Sequence, residues 1–225
     1  MSAPPVRRPL SLLVPALVAA TVLVLPLIGL LQRAPWSTLV ERLTDEAVVD
    51  ALRVSLIVSV TAAALCVVLG VPLAWLLARS ELPGINLLRA VVMVPMVLPP
   101  VVAGTALLFA LGRRGLVGQW LDEWFGLTLP FTTAGAVLAA TFVALPFFVI
   151  TVESALRQQG GLLEEAAATS GAGPVAPFWH VTLPSVGAAL GAGLALARAR
   201  ALGEFGATIS VAGSLGGRTR TLPLE

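Results

Sequence analysis

Three charged side chains, Arg198, Arg200 and Glu204, stand close together near the end of an otherwise apolar run. A charge at the centre of a membrane-crossing helix costs about 2.5–3.5 kcal/mol on insertion scales, so such a guanidinium needs a partner or water. Arg200 and Glu204 are four residues apart and share a helical face, where they can pair. Arg198 lies about 200° around the helix from Arg200 and is harder to accommodate. Two readings stand side by side: a charged face lining a pathway or its gate, or a structural ion pair with snorkelling at a helix end. Catalysis has no candidate. One His, His180, and one Cys, Cys66, supply neither a metal cluster nor a Cys–His dyad, so no catalytic and no metal-binding residue is expected. No Walker-type phosphate loop and no Gly-x-Ser-x-Gly elbow is present either. Cys66, inside an apolar stretch, reads as a small packing residue.

The elements that must carry these charges are set by composition. Of 225 residues, 57% are hydrophobic and only 12% charged, against about 25% charged in a soluble domain. The apolar residues come in blocks long enough to cross a bilayer instead of spreading at a period of two or 3.6. All basic residues are Arg, the net charge is +2 and no polybasic run occurs. Nucleic acid is therefore not an expected partner, whereas membrane lipid is. The expected class is an all-α membrane protein, a single transmembrane domain over 1–225 with spans near 10–31, 54–78, 90–112, 131–152 and 183–202. Arg7 and Arg8 could open a signal peptide, but the apolar run after them is too long and ends at Gln32-Arg33-Ala34-Pro35 without a small-residue cleavage site. In the third span Pro95, Pro99 and Pro100 remove backbone donors and must bend the helix, which membranes tolerate where neighbouring helices cover the break. Gly187, Gly191 and Ala195, with Ala188 and Ala192, make small faces at four-residue spacing suited to close helix packing.

Between the fourth and fifth spans, 153–182 is polar and carries its own helix signals. Leu162 to Ser170 is rich in good helix formers, Gly171 offers a left-handed stop, and Pro174 can open a second short helix. A helix–turn–helix outside the membrane is expected, with Phe178 and Trp179 in need of an apolar surface. Within it Glu165-Ala166-Ala167, three residues, Gly171, nine residues, Val181, one residue and Leu183-Pro184 recur at a spacing that resembles the EAA loop of bacterial ATP-binding-cassette importers. Leu69 to Arg79 and Val94 to Val102 are similar to the second and third spans of such permeases. The resemblance implies a type I importer transmembrane-domain fold, with five spans visible here and six expected in the family. It implies a cytoplasmic ATPase-coupling loop at 153–182, with Glu165, Ala166, Ala167, Gly171, Val181, Leu183 and Pro184 as its docking residues. His180 departs from the Arg or Lys common there.

Gly203-Glu204-Phe205-Gly206-Ala207-Thr208 and Arg218-Thr219-Arg220-Thr221-Leu222-Pro223-Leu224 resemble the molybdate branch of these permeases. The sulfate branch shares the Gly-Glu-Phe-Gly-Ala core and differs just after it. The resemblance implies a permease subunit importing molybdate or tungstate, with sulfate or thiosulfate as the alternative substrate. Arg200, Gly203, Glu204, Phe205, Gly206 and Thr208 are the expected pathway or gate residues, where an Arg attracts an oxyanion and its paired Glu keeps binding from becoming too tight. The implied partners are an ATPase subunit dimer, which binds ATP and Mg, an extracytoplasmic oxyanion-binding protein, and a second copy of the permease. The chain itself is expected to hold no cofactor. Arg counts do not orient the protein. Crossing parity does: four spans from a cytoplasmic amino terminus return the chain to the cytoplasm at Glu153, in a bacterial inner membrane. Relatives continue past Leu-Pro-Leu into another span, so the resemblance also allows a truncated, non-conducting paralogue or fragment. A 225-residue form is then expected to be less stable than a six-span one, and inactive.

Overall fold

The computed structural model describes residues 10–161, 169, 173, 176–215 and 219–224. They form helices and turns, and divide into two compact units, residues 1–45 and 46–225. In the first unit, α1 (Leu10–Arg33) is apolar all round, with a mean hydropathy of 2.5 in its central window, and its side chains are exposed on every face. A helix without a polar side is one whose solvent is lipid. A turn of 3-10 helix (Trp36–Thr38) and the short α2 (Leu39–Leu43) follow, with the Trp36 indole N–H donating to the Leu31 carbonyl at 2.8 Å.

The second unit is built on two long helices, α3 (Glu46–Arg79) and α7 (Thr133–Gln159), which make the most extensive helix pair. On α3 the buried residues Val58, Ala62, Cys66, Gly70, Ala74 and Leu77 step along one face at intervals of three or four, the helical repeat. They meet Ala136, Ala140, Ala144, Phe148, Val152 and Leu156 of α7. Small residues let the two backbones approach: a Cβ at Gly70 would stand 2.5 Å from Cδ1 of the fully buried Phe148. The α7 start is capped by Thr132, whose hydroxyl accepts the Gly135 N–H at 3.1 Å.

Between them, α4 (Ile85–Val97) and α5 (Pro100–Leu111) are joined at Leu98-Pro99 by a bend of 119°. The sequence argument for a bend holds, but the bend is far sharper than a kinked continuous span over 90–112 would show. Neither half reaches the length of a crossing by itself at 1.5 Å per residue. α6 (Gly118–Phe125) then exposes Trp120, Trp124 and Phe125, the aromatic composition of a membrane–water boundary.

The stretch expected as one span over 183–202 is also broken. A π-turn (Phe178–Thr182) and one turn of α-helix (Leu183–Ser185) meet α8 (Gly187–Leu202) at 66°, and α9 (Gly206–Ala212) follows after Gly203. Among the described residues, three helices are long and apolar enough to cross a membrane, or up to five if each bent pair counts as one. Of the small residues on α8, one set packs within the chain and another does not. Gly193, Ala197 and Ala201 are buried, Gly193 lying against Phe148, whereas Gly187, Ala188, Gly191, Ala192 and Ala195 are exposed.

Candidate functional site

Glu204 is 2% exposed, the most enclosed acidic side chain among the described residues. Its two oxygens have separate duties: Oε2 accepts from Arg200 Nη1 at 2.6 Å, and Oε1 accepts the Ala207 backbone N–H at 2.7 Å. The helical run of α8 ends at Leu202, so the pair does not lie on one continuous helix. The chain turns through Gly203 and keeps Glu204 within reach of Arg200. The carboxylate thereby joins the end of α8 to the first turn of α9, supplying an acceptor to an N–H that has no partner within its own helix. Arg200 keeps 29% of its side chain exposed, while Arg198 is exposed outright.

Gly206 shows why this turn is where it is. A Cβ there would lie 2.5 Å from Pro100 Cβ and 3.2 Å from Val101 N, so the first residues of α5 rest directly on the glycine. Similarly, a Cβ at Gly104 would lie 2.5 Å from Ser210 Cβ, and α5 and α9 run in close contact beyond it. Two helix breaks, Leu98-Pro99 and Gly203 to Phe205, are therefore packed face to face. Ala207 and Val211 are buried in that contact with α5 and α7, Thr208 is buried on the same helix, and Phe205 is about half exposed. Arg200, Gly203, Glu204, Gly206 and Thr208, selected from sequence, are thus brought to one place. Pro100 completes it, although in the sequence its only signal is that of a helix breaker.

The Arg-Thr-x-Thr-Leu-Pro string closes over α3. Leu222 N–H donates to Ser55 Oγ at 2.7 Å, Thr219 is fully buried with its hydroxyl accepting the Leu215 N–H at 3.0 Å, and Thr221 is buried beside it. Arg218 lies outside the described residues. So do Glu165, Ala166, Ala167 and Gly171, four of the residues expected to dock an ATPase. Val181 lies in the π-turn, and Leu183 and Pro184 in the helical turn after it. Phe178 finds the apolar surface it required: its ring meets Trp75 of α3 edge-on at 6.1 Å and Trp179 at 5.2 Å. Among the described residues no three His, Cys, Asp or Glu side chains gather as metal ligands.

A second polar cluster is one that sequence reasoning misses. Glu153, buried near the end of α7, accepts from Arg89 Nε of α4 at 2.8 Å and from Arg157 Nε at 2.9 Å. Its one signal in the sequence is a Glu closing an apolar run, four residues before an Arg.

An all-helical, multi-pass membrane protein with a buried ion pair at packed helix breaks is the class these features define. The chain belongs to the family of binding-protein-dependent transport system inner membrane components, which its residues 70–224 match. It is 45% identical over 222 residues to the molybdenum transport system permease protein ModB of Mycobacterium tuberculosis, covering 99% of this chain and 84% of that protein. The Escherichia coli ModB is 45% identical over 174 residues, 77% of this chain and 76% of that one. The Escherichia coli sulfate transport system permease protein CysT is 38% identical over 218 residues, covering 96% and 78%.

Proposed function

We propose that the chain is the permease subunit of an ATP-driven molybdate importer, built as a homodimer and served by a separate ATPase dimer and an extracytoplasmic binding protein. One observation carries the substrate: 45% identity over nearly the whole chain to a molybdenum permease, against 38% to a sulfate permease. Tungstate, an oxyanion of the same shape and charge, belongs to the same substrate class. The buried Arg200–Glu204 pair suits a gate on an anion path, since it offers a cation without leaving a free charge in apolar surroundings. The cytoplasmic coupling loop expected over 153–182 begins at Gly160, because Glu153 to Gln159 continue α7, and Glu165, Ala166, Ala167, Gly171, Val181, Leu183 and Pro184 lie at the ATPase. Ala166 and Ala167 permit close helix approach, and Gly171 permits a sharp turn. ATP and Mg are held by the ATPase. The amino terminus and the coupling loop face the cytoplasm of a bacterial inner membrane.

Deleting the gene tests the substrate. The expected result is loss of high-affinity molybdate uptake with sulfate uptake intact. Loss of sulfate uptake with molybdate uptake unchanged would move the protein to the sulfate branch.

A further inference from the structure

We propose that Arg79, Arg89, Glu153 and Arg157 form a clamp that carries the motion of the coupling loop to the gate, with Glu153 as its central positioning residue. The inference rests on the permease reading above.

The geometry begins at the loop. Its entry, Gly160, presents a carbonyl that accepts from Arg79 Nη2 of α3, while Arg79 Nη1 donates to the Leu156 carbonyl at 2.8 Å. Its exit, Ser185, accepts from Gln159 Nε2 at 2.5 Å. Both ends of the loop are therefore tied to the last turn of α7. That turn is tied in turn to α3 and α4. The Leu77 carbonyl accepts from Arg157 Nη2 and from Arg89 Nη2, each at 3.0 Å, and Glu153 Oε1 receives both Nε groups. Arg89 also donates to Asn86 Oδ1 at 2.7 Å, so each end of its guanidinium has its own acceptor.

Three guanidiniums at the carboxyl ends of α3 and α7 are favourably placed, because those ends carry unpaired carbonyls and the negative pole of the helix dipole. Glu153 holds them together: at 6% exposure it is the anion that lets Arg89 and Arg157 approach each other. From Arg89 the path continues along α4, past Pro95, to the Leu98-Pro99 bend. Beyond the bend, Pro100 rests on Gly206 beside the Arg200–Glu204 pair. Coupling is read as the ATP hydrolysed for each ion moved.

The complex, purified with its ATPase and binding protein and reconstituted in vesicles, is assayed for ATP hydrolysed per molybdate imported. Glu153→Gln keeps the size and removes the charge. It is expected to raise that ratio about tenfold, a change of the size that residues on coupling networks produce. Arg89→Lys, which keeps the charge but cannot reach all three acceptors, is expected to raise it as well, whereas Arg113→Gln, in an exposed pair with Asp122, should leave it unchanged. A wild-type ratio in Glu153→Gln and Arg89→Lys would overturn the clamp while leaving the permease reading intact. Loss of both variants from the membrane would assign the cluster to folding alone and overturn the coupling role. Failure of the wild-type complex to import any oxyanion would overturn the permease reading and the clamp with it.

Discussion

At Glu204 the chemistry is decided by enclosure. Glu204 is 2% exposed, and both its oxygens are engaged, one by Arg200 and one by the Ala207 N–H. Removing one partner of a buried pair strands the other, at a cost of about 3–5 kcal/mol when both are fully enclosed. Arg200 is 29% exposed, which places its removal toward the lower end of that range. Arg200→Ala is accordingly expected to lower molybdate transport about tenfold or more, whereas the exposed Arg198→Ala should change it less than about twofold. Equal losses in a quantitative uptake assay would remove the distinction. The pair itself is legible in the sequence from its spacing of four. The second bond of Glu204 is not, because it depends on a helix ending at Leu202 and restarting at Gly206, and neither Gly203 nor Gly206 alone declares such a break.

Among the elements, tight and open glycine faces make opposite demands. At Gly70 a side chain must displace Phe148, which is fully buried and packed on both sides, so Gly70→Val is expected to destabilise the subunit by about 1–3 kcal/mol. A lower unfolding temperature in detergent would register it. At Gly191 a Cβ would meet nothing within 4 Å. Gly191→Leu should therefore leave the unfolding temperature of the subunit unchanged, while reducing co-purification of differently tagged copies if that small face packs against a second copy. Unchanged co-purification would take the dimer contact elsewhere. The coupling loop makes a third demand. Gly171→Asp, which adds a Cβ and a charge at the expected turn, should abolish uptake with the protein still in the membrane and ATPase co-purification reduced. Wild-type uptake and ATPase yield in that variant would remove Gly171 from the docking role.

The sequence reveals these elements unevenly, for physical reasons. Apolar length marks lipid-crossing helices well, so α1, α3 and α7 are legible from composition alone. Length cannot register direction, and the prolines at 99 and 100 announce a bend without its angle; the 119° turn follows from how α5 lies on α9. An Ala- and Gly-rich helix offers several small faces, so the sequence alone does not say which of them packs within the chain. Phe148 lies against Gly193, and Ala197 and Ala201 are buried on the same face. The Glu153 cluster is hidden because Arg79 and Arg89 lie more than sixty positions before Glu153 and Arg157.

For the whole molecule, the second unit holds two polar clusters to which the proposed function gives different tasks. Arginines of α3, α4 and α7 gather around Glu153 and the Leu156 carbonyl beside the proposed coupling loop, and α4 leads from there to Pro100, which rests on Gly206 next to the buried ion pair. Such an arrangement suits a subunit that receives force at one place and opens a path at another, with selectivity shared with a binding protein. The most direct measurement is ATP-driven accumulation of radiolabelled molybdate in vesicles. These would carry the complex purified from its host, with the ATPase and the binding protein present. The account predicts accumulation that requires ATP and the binding protein and that persists in excess sulfate. Accumulation of sulfate with molybdate left outside, or no ATP-dependent accumulation of either, would contradict it.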